Sequence, residues 1–387
     1  MYKYKTHMNK QRIGIVGAGN MGIPIAWAMN ILGYKLVILD QDERALFKCR
    51  QYVDTKRCRL IKVNNHQSIN TSKGQRWRST PLSFEHLRQC STVVSSLPYH
   101  QNIFLAKFCI DNQINYLDLG GNIGTSSAIY DYAFQSLDKK SYETLQSQNA
   151  QASVMTDLGL APGWINIVTE DMYQQHMSQN NQAPINVTMM VGGLPQVPNN
   201  TLKYSCTWSY DGLLNEYRDN CISLINGEQV IVNGMGGYHC PIASDIGPLE
   251  AFYTSGGVAN TVETMQERGV LNCAYKTLRY PTHHKIVNFL INESGLDDAS
   301  IIDIFKKTCP PQQDLVIMKV FVDDMQFEKI IHSDEKFSAM QKATAFPIAS
   351  VAHMVTSSDL HATVLKYDDI PYPQFNKWLD QLFDAAL

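Results

Sequence analysis

Three glycines and one aspartate give this chain its first chemistry. Gly17, Gly19 and Gly22 stand in G-x-G-x-x-G spacing between an apolar run at 13–16 and an apolar helical stretch, and Asp40 closes the next apolar run at 35–39. The first glycine permits a tight bend, the second lets backbone approach a pyrophosphate, and the third lets a helix pack closely on a sheet. Asn20 and Met21 complete the turn, and a helix starting near Met21 offers unpaired N–H groups and a positive dipole end to the phosphates. Asp40 is placed to accept from the adenosine ribose 2′ and 3′ hydroxyls. Its charge would repel a 2′-phosphate, so the expected cofactor is NAD, with NADP the weaker alternative. Arg44, one helical turn further on, either reaches a phosphate or lies on the exposed face of the next helix.

The elements around this turn alternate short apolar runs with helical stretches, as a parallel sheet requires. Strands are expected at 13–16, 35–39, 92–95, 116–119 and 153–157. Ligands of open parallel sheets bind outside the carboxyl ends of the strands, so the residues following each strand are the candidates for chemistry. After the third strand come Ser96, Leu97 and Pro98, lining the phosphate and nicotinamide passage, then Tyr99 and His100, a phenol and an imidazole able to move protons. Gly120, Gly121 and Asn122 follow the fourth. Asp157 ends the fifth, where it holds a substrate ammonium or caps the helix beginning near Pro162 or Gly163. Gly159, Pro162 and Gly163 shape the turn that brings backbone near the nicotinamide. Asn166 either binds the cofactor amide or satisfies backbone.

Beyond Gly163 the texture changes. Longer strands at 186–191, 203–209, 229–233 and 316–322, separated by glycine or asparagine turns, suggest an antiparallel sheet with a few helices. A helix at 341–357 returns towards the first domain. The expected architecture is α/β: an N-terminal Rossmann doubly wound parallel sheet over residues 1–165, completed by 336–387, with an inserted α+β substrate and dimerisation domain at 166–335.

Composition narrows the function classes. In 387 residues, 44% are hydrophobic and 18% charged, an ordinary globular balance with ample material for a core. A net charge of −3 without a long basic run argues against a nucleic-acid partner. The segment 64–79, with Lys73, Arg76 and Arg78, reads as a solvated loop. Nine scattered cysteines, with neither C-x-x-C pairs nor zinc-like histidine spacing, imply reduced thiols and no metal. A polar N-terminal stretch and the lack of any membrane-length apolar run make a soluble cytoplasmic protein the expectation.

Three further segments carry a resemblance: Asp157-Leu158-Gly159-Leu160-Ala161-Pro162-Gly163-Trp164-Ile165-Asn166, Val191-Gly192-Gly193-Leu194-Pro195, and Tyr275-Lys276-Thr277-Leu278-Arg279-Tyr280-Pro281-Thr282-His283. With the N-terminal turn, the run Leu249-Glu250-Ala251-Phe252-Tyr253-Thr254 and the patch Asn215-Glu216-Tyr217, they resemble the saccharopine dehydrogenase family over nearly the whole chain, and within it the lysine 6-dehydrogenase group. The resemblance implies a nicotinamide-dependent oxidoreductase of an amino acid C–N bond, commonly a homodimer, here deaminating the ε-amine of L-lysine to 2-aminoadipate 6-semialdehyde. Its alternatives are reductive condensation, as in saccharopine reductase or the carboxylated-polyamine synthases, and a cofactor-bound sensor without turnover. Where the reductases carry an arginine for an extra substrate carboxylate, this chain has Asp211, which favours a substrate with one carboxylate.

Arg279 becomes the substrate-binding candidate, since a guanidinium grips a carboxylate through two parallel hydrogen bonds; the alternative is a structural arginine paired with an acid. His283, shortly after it, either contacts substrate or supports a residue that does, and His284 lacks further ligands for a metal pair. Thr254 and Tyr253 are implied as hydroxyl donors to substrate by the family pattern alone.

Overall fold

A computed structural model describes residues 11–63, 69–71, 74–76, 84–138, 152–180, 182–360 and 362–387. The expected solvated loop at 64–79 lies outside the described residues, apart from a short antiparallel ribbon within it. The chain divides into two compact units, one of Met1–Gly159 with Thr344–Ala386 and one of Leu160–Ala343.

In the first unit, β1 (Arg12–Val16), α1 (Gly22–Ile31), β2 (Lys35–Asp40), α2 (Glu43–Cys49) and β3 (Cys58–Lys62) come first. The ribbon β4 (Ile69–Thr71) and β5 (Gly74–Arg76) follows, then β6 (Thr92–Ser95), α3 (Tyr99–Asp111), β7 (Asn115–Asp118), α4 (Ile123–Asp138) and β8 (Val154–Met155). Six of these strands form one sheet in the order β3-β2-β1-β6-β7-β8, every neighbouring pair parallel. The order reverses between β1 and β6, the switch point at which an open sheet binds its ligand. Ile13, Ile15, Val37, Val93, Val94 and Tyr116 are wholly buried, as strands covered on both faces require. Each such aliphatic side chain contributes about 1.5–3 kcal/mol on leaving water. The fifth expected strand is shorter than 153–157, because Asp157 adopts φ +64 and turns the chain out of the sheet.

The second unit holds α5 (Trp164–Gln179), β9 (Asn186–Pro195), α6 (Tyr210–Arg218), β10 (Cys221–Ile225), β11 (Glu228–Val232), β12 (His239–Ile242) and β13 (Leu249–Tyr253). It continues through α7 (Thr261–Glu267), β14 (Asn272–Arg279), α8 (His283–Asn288), α9 (Asp298–Thr308), β15 (Asp314–Val322) and β16 (Met325–His332). Its main sheet runs β11-β10-β14-β9-β15-β16, with β12 and β13 branching from β14. The sheet is mixed rather than antiparallel, because β9 and β14 run parallel. Residues 203–209 form no strand; Tyr204 and Cys206 are instead packed into a core with Leu213, Phe252 and Phe305.

Two helices complete the chain, α10 (Ala339–Thr356) and α11 (Tyr372–Ala386). Within the first unit, Phe346 stacks on Trp27 at 5.5 Å, Tyr34 hydroxyl meets His353 Nδ1 at 2.9 Å, and Val364 bridges β8 at Val154. All nine cysteines are unpaired. Among the described residues no helix is long and apolar enough to cross a membrane.

One position in the second unit stores strain. Thr282, directly before α8, sits at φ +89, a left-handed conformation costly for a β-branched residue, while its N–H bonds Glu250 at 3.0 Å. Thr282→Gly keeps that bond and relieves the strain. Its expected effect is a gain of about 1 kcal/mol, read as a higher urea midpoint with unchanged slope.

Candidate functional site

The glycine turn begins at Gly17, at φ +98, whose N–H reaches Leu39 O at 2.8 Å and whose carbonyl accepts from Ser96 Oγ at 3.0 Å. A Cβ built on Gly17 would stand 2.7 Å from Ser96 Oγ, and one on Gly22 only 1.8 Å from Gly17 O. These two glycines are required by the chain itself. Gly19 differs: its φ is not positive and a Cβ there meets nothing within 4 Å. That open side is the space a pyrophosphate needs for close backbone approach. Behind it α1 has no side-chain cap and no acidic residue in its first turn, with Met21 at the N-cap, so the helix end keeps its affinity for an anion. The residues therefore fit a dinucleotide.

Asp40 accepts the Ala18 N–H at 2.5 Å and the Asp42 N–H at 2.7 Å, which folds its carboxylate back over the glycine turn. Each oxygen retains a second lone pair with which to take a hydroxyl. Beside it a hollow of about 470 Å³ is lined by Gln41, Asp42, Glu43, Arg44, Phe47 and Lys62. Arg44 lies exposed on α2, and Lys62 pairs with Glu43 at 3.2 Å.

Along the same edge, the residues after β6, β7 and β8 come together. Ser96 touches the glycine turn, Leu97 N–H reaches Ser95 Oγ at 3.4 Å, and Pro98 takes the N-cap position of α3. Tyr99, 45% exposed, lies against Gly121, where an added Cβ would be 3.4 Å from its own Cβ. Exposed His100 packs edge-on to the Tyr99 ring at 5.7 Å. On the other side of this loop a Cβ on Gly120 would fall 2.1 Å from Asp157 Oδ1, so Gly120 is glycine to admit that carboxylate. Asp157 also accepts from Thr156 Oγ1 at 3.0 Å. It does not cap α5, because Gly163 holds that position, its N–H bonded to Asn166 Oδ1 at 2.7 Å.

Asp118 was not singled out by sequence reasoning, yet it completes this group. Wholly buried at the end of β7, it accepts from Gly120 N–H at 2.8 Å, Tyr116 hydroxyl at 2.9 Å and, more weakly, Asp157 N–H at 3.4 Å. Burial, and then the neighbouring Asp157 charge, push its carboxyl up to about 7. Burial raises Asp157 as well. The signal in the sequence was an aspartate ending an apolar strand before Gly-Gly, the same position Asp40 holds on β2.

A raised carboxyl binds its proton more tightly folded than unfolded. The stability this confers is fully present below about pH 4 and is lost as pH rises through about 7, by up to about 1.4 kcal/mol per pH unit. Asp118→Asn removes this dependence. Urea unfolding at a series of pH values should show a flatter profile in the variant, with the wild type losing ground between these limits.

Three expected site residues have their polar groups engaged by partners within the second unit. Asn166, expected at the cofactor, is wholly buried with its amide spent inside the chain: Nδ2 donates to Thr261 Oγ1 at 2.7 Å and to Val258 O at 3.1 Å, and Oδ1 accepts from Gly163. Thr254, expected at the substrate, is 0% exposed and pairs with Thr277 Oγ1 at 2.7 Å. His283, expected either to contact substrate or to support a residue that does, is buried with both ring nitrogens engaged, Nδ1 donating to Leu202 O at 2.7 Å and Nε2 accepting from Tyr217 hydroxyl at 3.0 Å. Burial, and then the Arg279 charge, depress it to about 3, so it stays neutral through the physiological range. Gly159 is buried, and Pro162 is half-buried.

Arg279 ends β14 and is 3% exposed. Its guanidinium lies over the Tyr204 ring at 4.6 Å and the Tyr217 ring at 5.6 Å. Nε donates to Tyr217 hydroxyl at 2.9 Å and Nη1 to Leu278 O at 2.9 Å. Arg279, Tyr217, His283 and Leu202 thus form one directed hydrogen-bond chain, which fixes the ring tautomer of His283 and the plane of the guanidinium.

Comparison with known proteins places this geometry. The family described as "Saccharopine dehydrogenase C-terminal domain" matches residues 159–384. Among solved structures, apo saccharopine dehydrogenase (L-Glu forming) from Saccharomyces cerevisiae is similar at a TM-score of 0.70 and 12% identity, over 97% of both chains. A myo-inositol dehydrogenase from Corynebacterium glutamicum is similar at a TM-score of 0.41 and 9% identity, over 97% of this chain and 95% of its own. The first of these likenesses is one of fold. With its Rossmann-like parallel sheet, its mixed-sheet second unit and a family match over more than half its length, this chain belongs to the saccharopine dehydrogenase family and has the fold of its oxidoreductases.

Proposed function

We propose that this protein is an NAD-dependent amino acid dehydrogenase that oxidises the ε-amine of L-lysine to 2-aminoadipate 6-semialdehyde with release of ammonia. The observation that carries the reading is the glycine turn, in which Gly17 and Gly22 answer to the chain while a Cβ on Gly19 would meet nothing within 4 Å, leaving open the space a pyrophosphate would take. Gly19 with the α1 N-terminus would hold the pyrophosphate, Asp40 the adenosine ribose, and Ser96 to Pro98 the path towards the nicotinamide. When bound, NAD supplies the hydride acceptor.

An amine loses hydride from its adjacent carbon only when its nitrogen lone pair is free, and a lysine side chain holds its proton to about pH 10.4. Asp157, with Asp118 beneath it, is the carboxylate at the sheet edge able to hold the ammonium and receive its proton. Tyr99 borders the same loop. Within the second unit taken by itself, the Arg279 guanidinium suits a substrate carboxylate, and Asp211, in place of the reductase arginine, favours a substrate without a second acid. Water then attacks the imine to release ammonia and the aldehyde.

Incubating the protein with NAD and, separately, L-lysine, saccharopine and diamines tests the reading. Lysine-dependent NADH formation with equimolar ammonia, climbing towards alkaline pH, is the expected outcome. Turnover of saccharopine without lysine would assign the condensing chemistry instead. NADH binding without oxidation of any amine would mark a sensor.

A further inference from the structure

We propose that Asp118 is a positioning residue for the reaction: its side chain holds the backbone turn that carries Asp157, and a buried polar network ties that hold to the loop after β6. This role rests on the reading of Asp157 as the carboxylate that receives the amine proton.

The parallel ladder between β7 and β8 ends at the pair Leu117 and Met155, so the backbone N–H groups beyond it need other acceptors. Asp118 supplies them. Its carbonyl accepts the Leu158 N–H at 3.0 Å, and its Oδ1 accepts the N–H groups of Gly120 at 2.8 Å and Asp157 at 3.4 Å. A single residue thus fastens the loops after both strands. Gly120 at φ +76 and Asp157 at φ +64 lie in the left-handed region, and an aspartate stays there only where its surroundings over-determine it. The Asp118 carboxylate does this for both. A Cβ on Gly120 would stand 2.1 Å from Asp157 Oδ1, so the turn fixed by Asp118 is also packed directly against the acid it positions.

The second carboxylate oxygen leads away from this turn into the unit. Tyr116 hydroxyl donates to Asp118 Oδ2 at 2.9 Å and lies 3.4 Å from Asn102 O. Asn102 Oδ1 accepts from Ser95 Oγ at 2.8 Å, and Ser95 Oγ in turn accepts the Leu97 N–H at 3.4 Å. None of Ser95, Asn102, Tyr116 and Asp118 is more than 2% exposed, so water does not compete for these bonds. The two ends of the network are the backbones of Leu97 and Asp157. It therefore keeps the passage after β6 and the acid after β8 in one register.

The role is one of shape rather than of proton transfer. Asp118→Asn keeps an Oδ1 acceptor for both N–H groups, and the Tyr116 hydroxyl can turn to Asn102 O while accepting from the new amide. Asp118→Ala removes both oxygens.

Hydrogen exchange of the full chain read by mass spectrometry, beside steady-state kinetics with lysine and NAD, tests this. In Asp118→Ala the peptides covering Gly120 and Asp157 are expected to exchange about 30-fold faster, with the peptide covering the Gly17 turn unchanged. The turnover number for lysine should fall about a hundredfold while the Michaelis constant for NAD stays within about twofold, as misplacement of a reacting group requires. Asp118→Asn should recover most of both losses. Tyr116→Phe should loosen the same two peptides by a smaller factor. Unchanged exchange in Asp118→Ala would overturn the proposal, and so would an Asp118→Asn enzyme as slow as Asp118→Ala, because an amide replaces a positioning group but not a proton carrier. If Asp118→Ala fails to fold, Tyr116→Phe decides in its place: faster exchange at Gly120 and Asp157 supports the network, and unchanged exchange overturns it. Faster exchange in the variants without lysine turnover by the wild type would keep the hold on Asp157 and reject lysine oxidation. Turnover by the wild type with exchange unchanged in the variants would do the reverse.

Discussion

Gly19→Val is expected to leave the thermal unfolding midpoint unchanged while weakening NADH binding at least a hundredfold, about 3 kcal/mol. The two effects separate because the residue has no packing role. Its backbone lies outside the left-handed region and a Cβ there meets no atom within 4 Å, so the folded protein accommodates the side chain. A pyrophosphate must approach that same surface closely, and isopropyl bulk removes both the space and access to the N–H groups beyond. Gly22→Ala supplies the contrast. Its Cβ would fall 1.8 Å from Gly17 O, so stability and NADH binding should be lost together. NADH fluorescence titration beside a thermal melt checks both variants. Equal destabilisation by the two substitutions would remove the argument that Gly19 serves a ligand.

Arg279→Lys is expected to raise the Michaelis constant for an amino acid substrate at least a hundredfold while leaving that for NAD within about twofold. A charge-assisted hydrogen bond contributes about 1.5–3 kcal/mol, and lysine cannot present two parallel N–H groups from a fixed plane. It also gives up the Nε bond to Tyr217, the first link of the hydrogen-bond chain that runs on to His283. Arg279→Ala should act in the same direction with added loss of stability, because Tyr204 and Tyr217 would face an empty space where the cation lay. Steady-state kinetics with each substrate varied in turn give the comparison. Equal changes in both Michaelis constants would count against Arg279 as the carboxylate site.

The first unit was legible because its signals are local. The strands at 13–16, 35–39 and 92–95 are buried on both faces and read as continuous apolar runs, and β6 runs from Thr92 to Ser95 as expected. Of the six strands of the parallel sheet only β3 was missed; Arg59 and Lys62 break its apolar run at the edge of the sheet. The second unit was harder. Its strands β10, β12, β13, β14 and β16 are partly solvated, short or interrupted, and the parallel pairing of β9 with β14 joins segments far apart in sequence.

The amino-acid order by itself determined the nucleotide turn, the residues following the parallel strands and the side chains rich enough in chemistry to be candidates. The tertiary structure alone decided which of those side chains remain available. Asn166 is consumed by Thr261, Thr254 by Thr277 and His283 by Tyr217, while Asp118 and Glu216 gain their raised carboxyls from burial that no spacing rule expresses. The physical reason is that hydrogen-bond capacity and solvation are settled by neighbours brought from distant segments, whereas a glycine turn is settled by the few residues that make it.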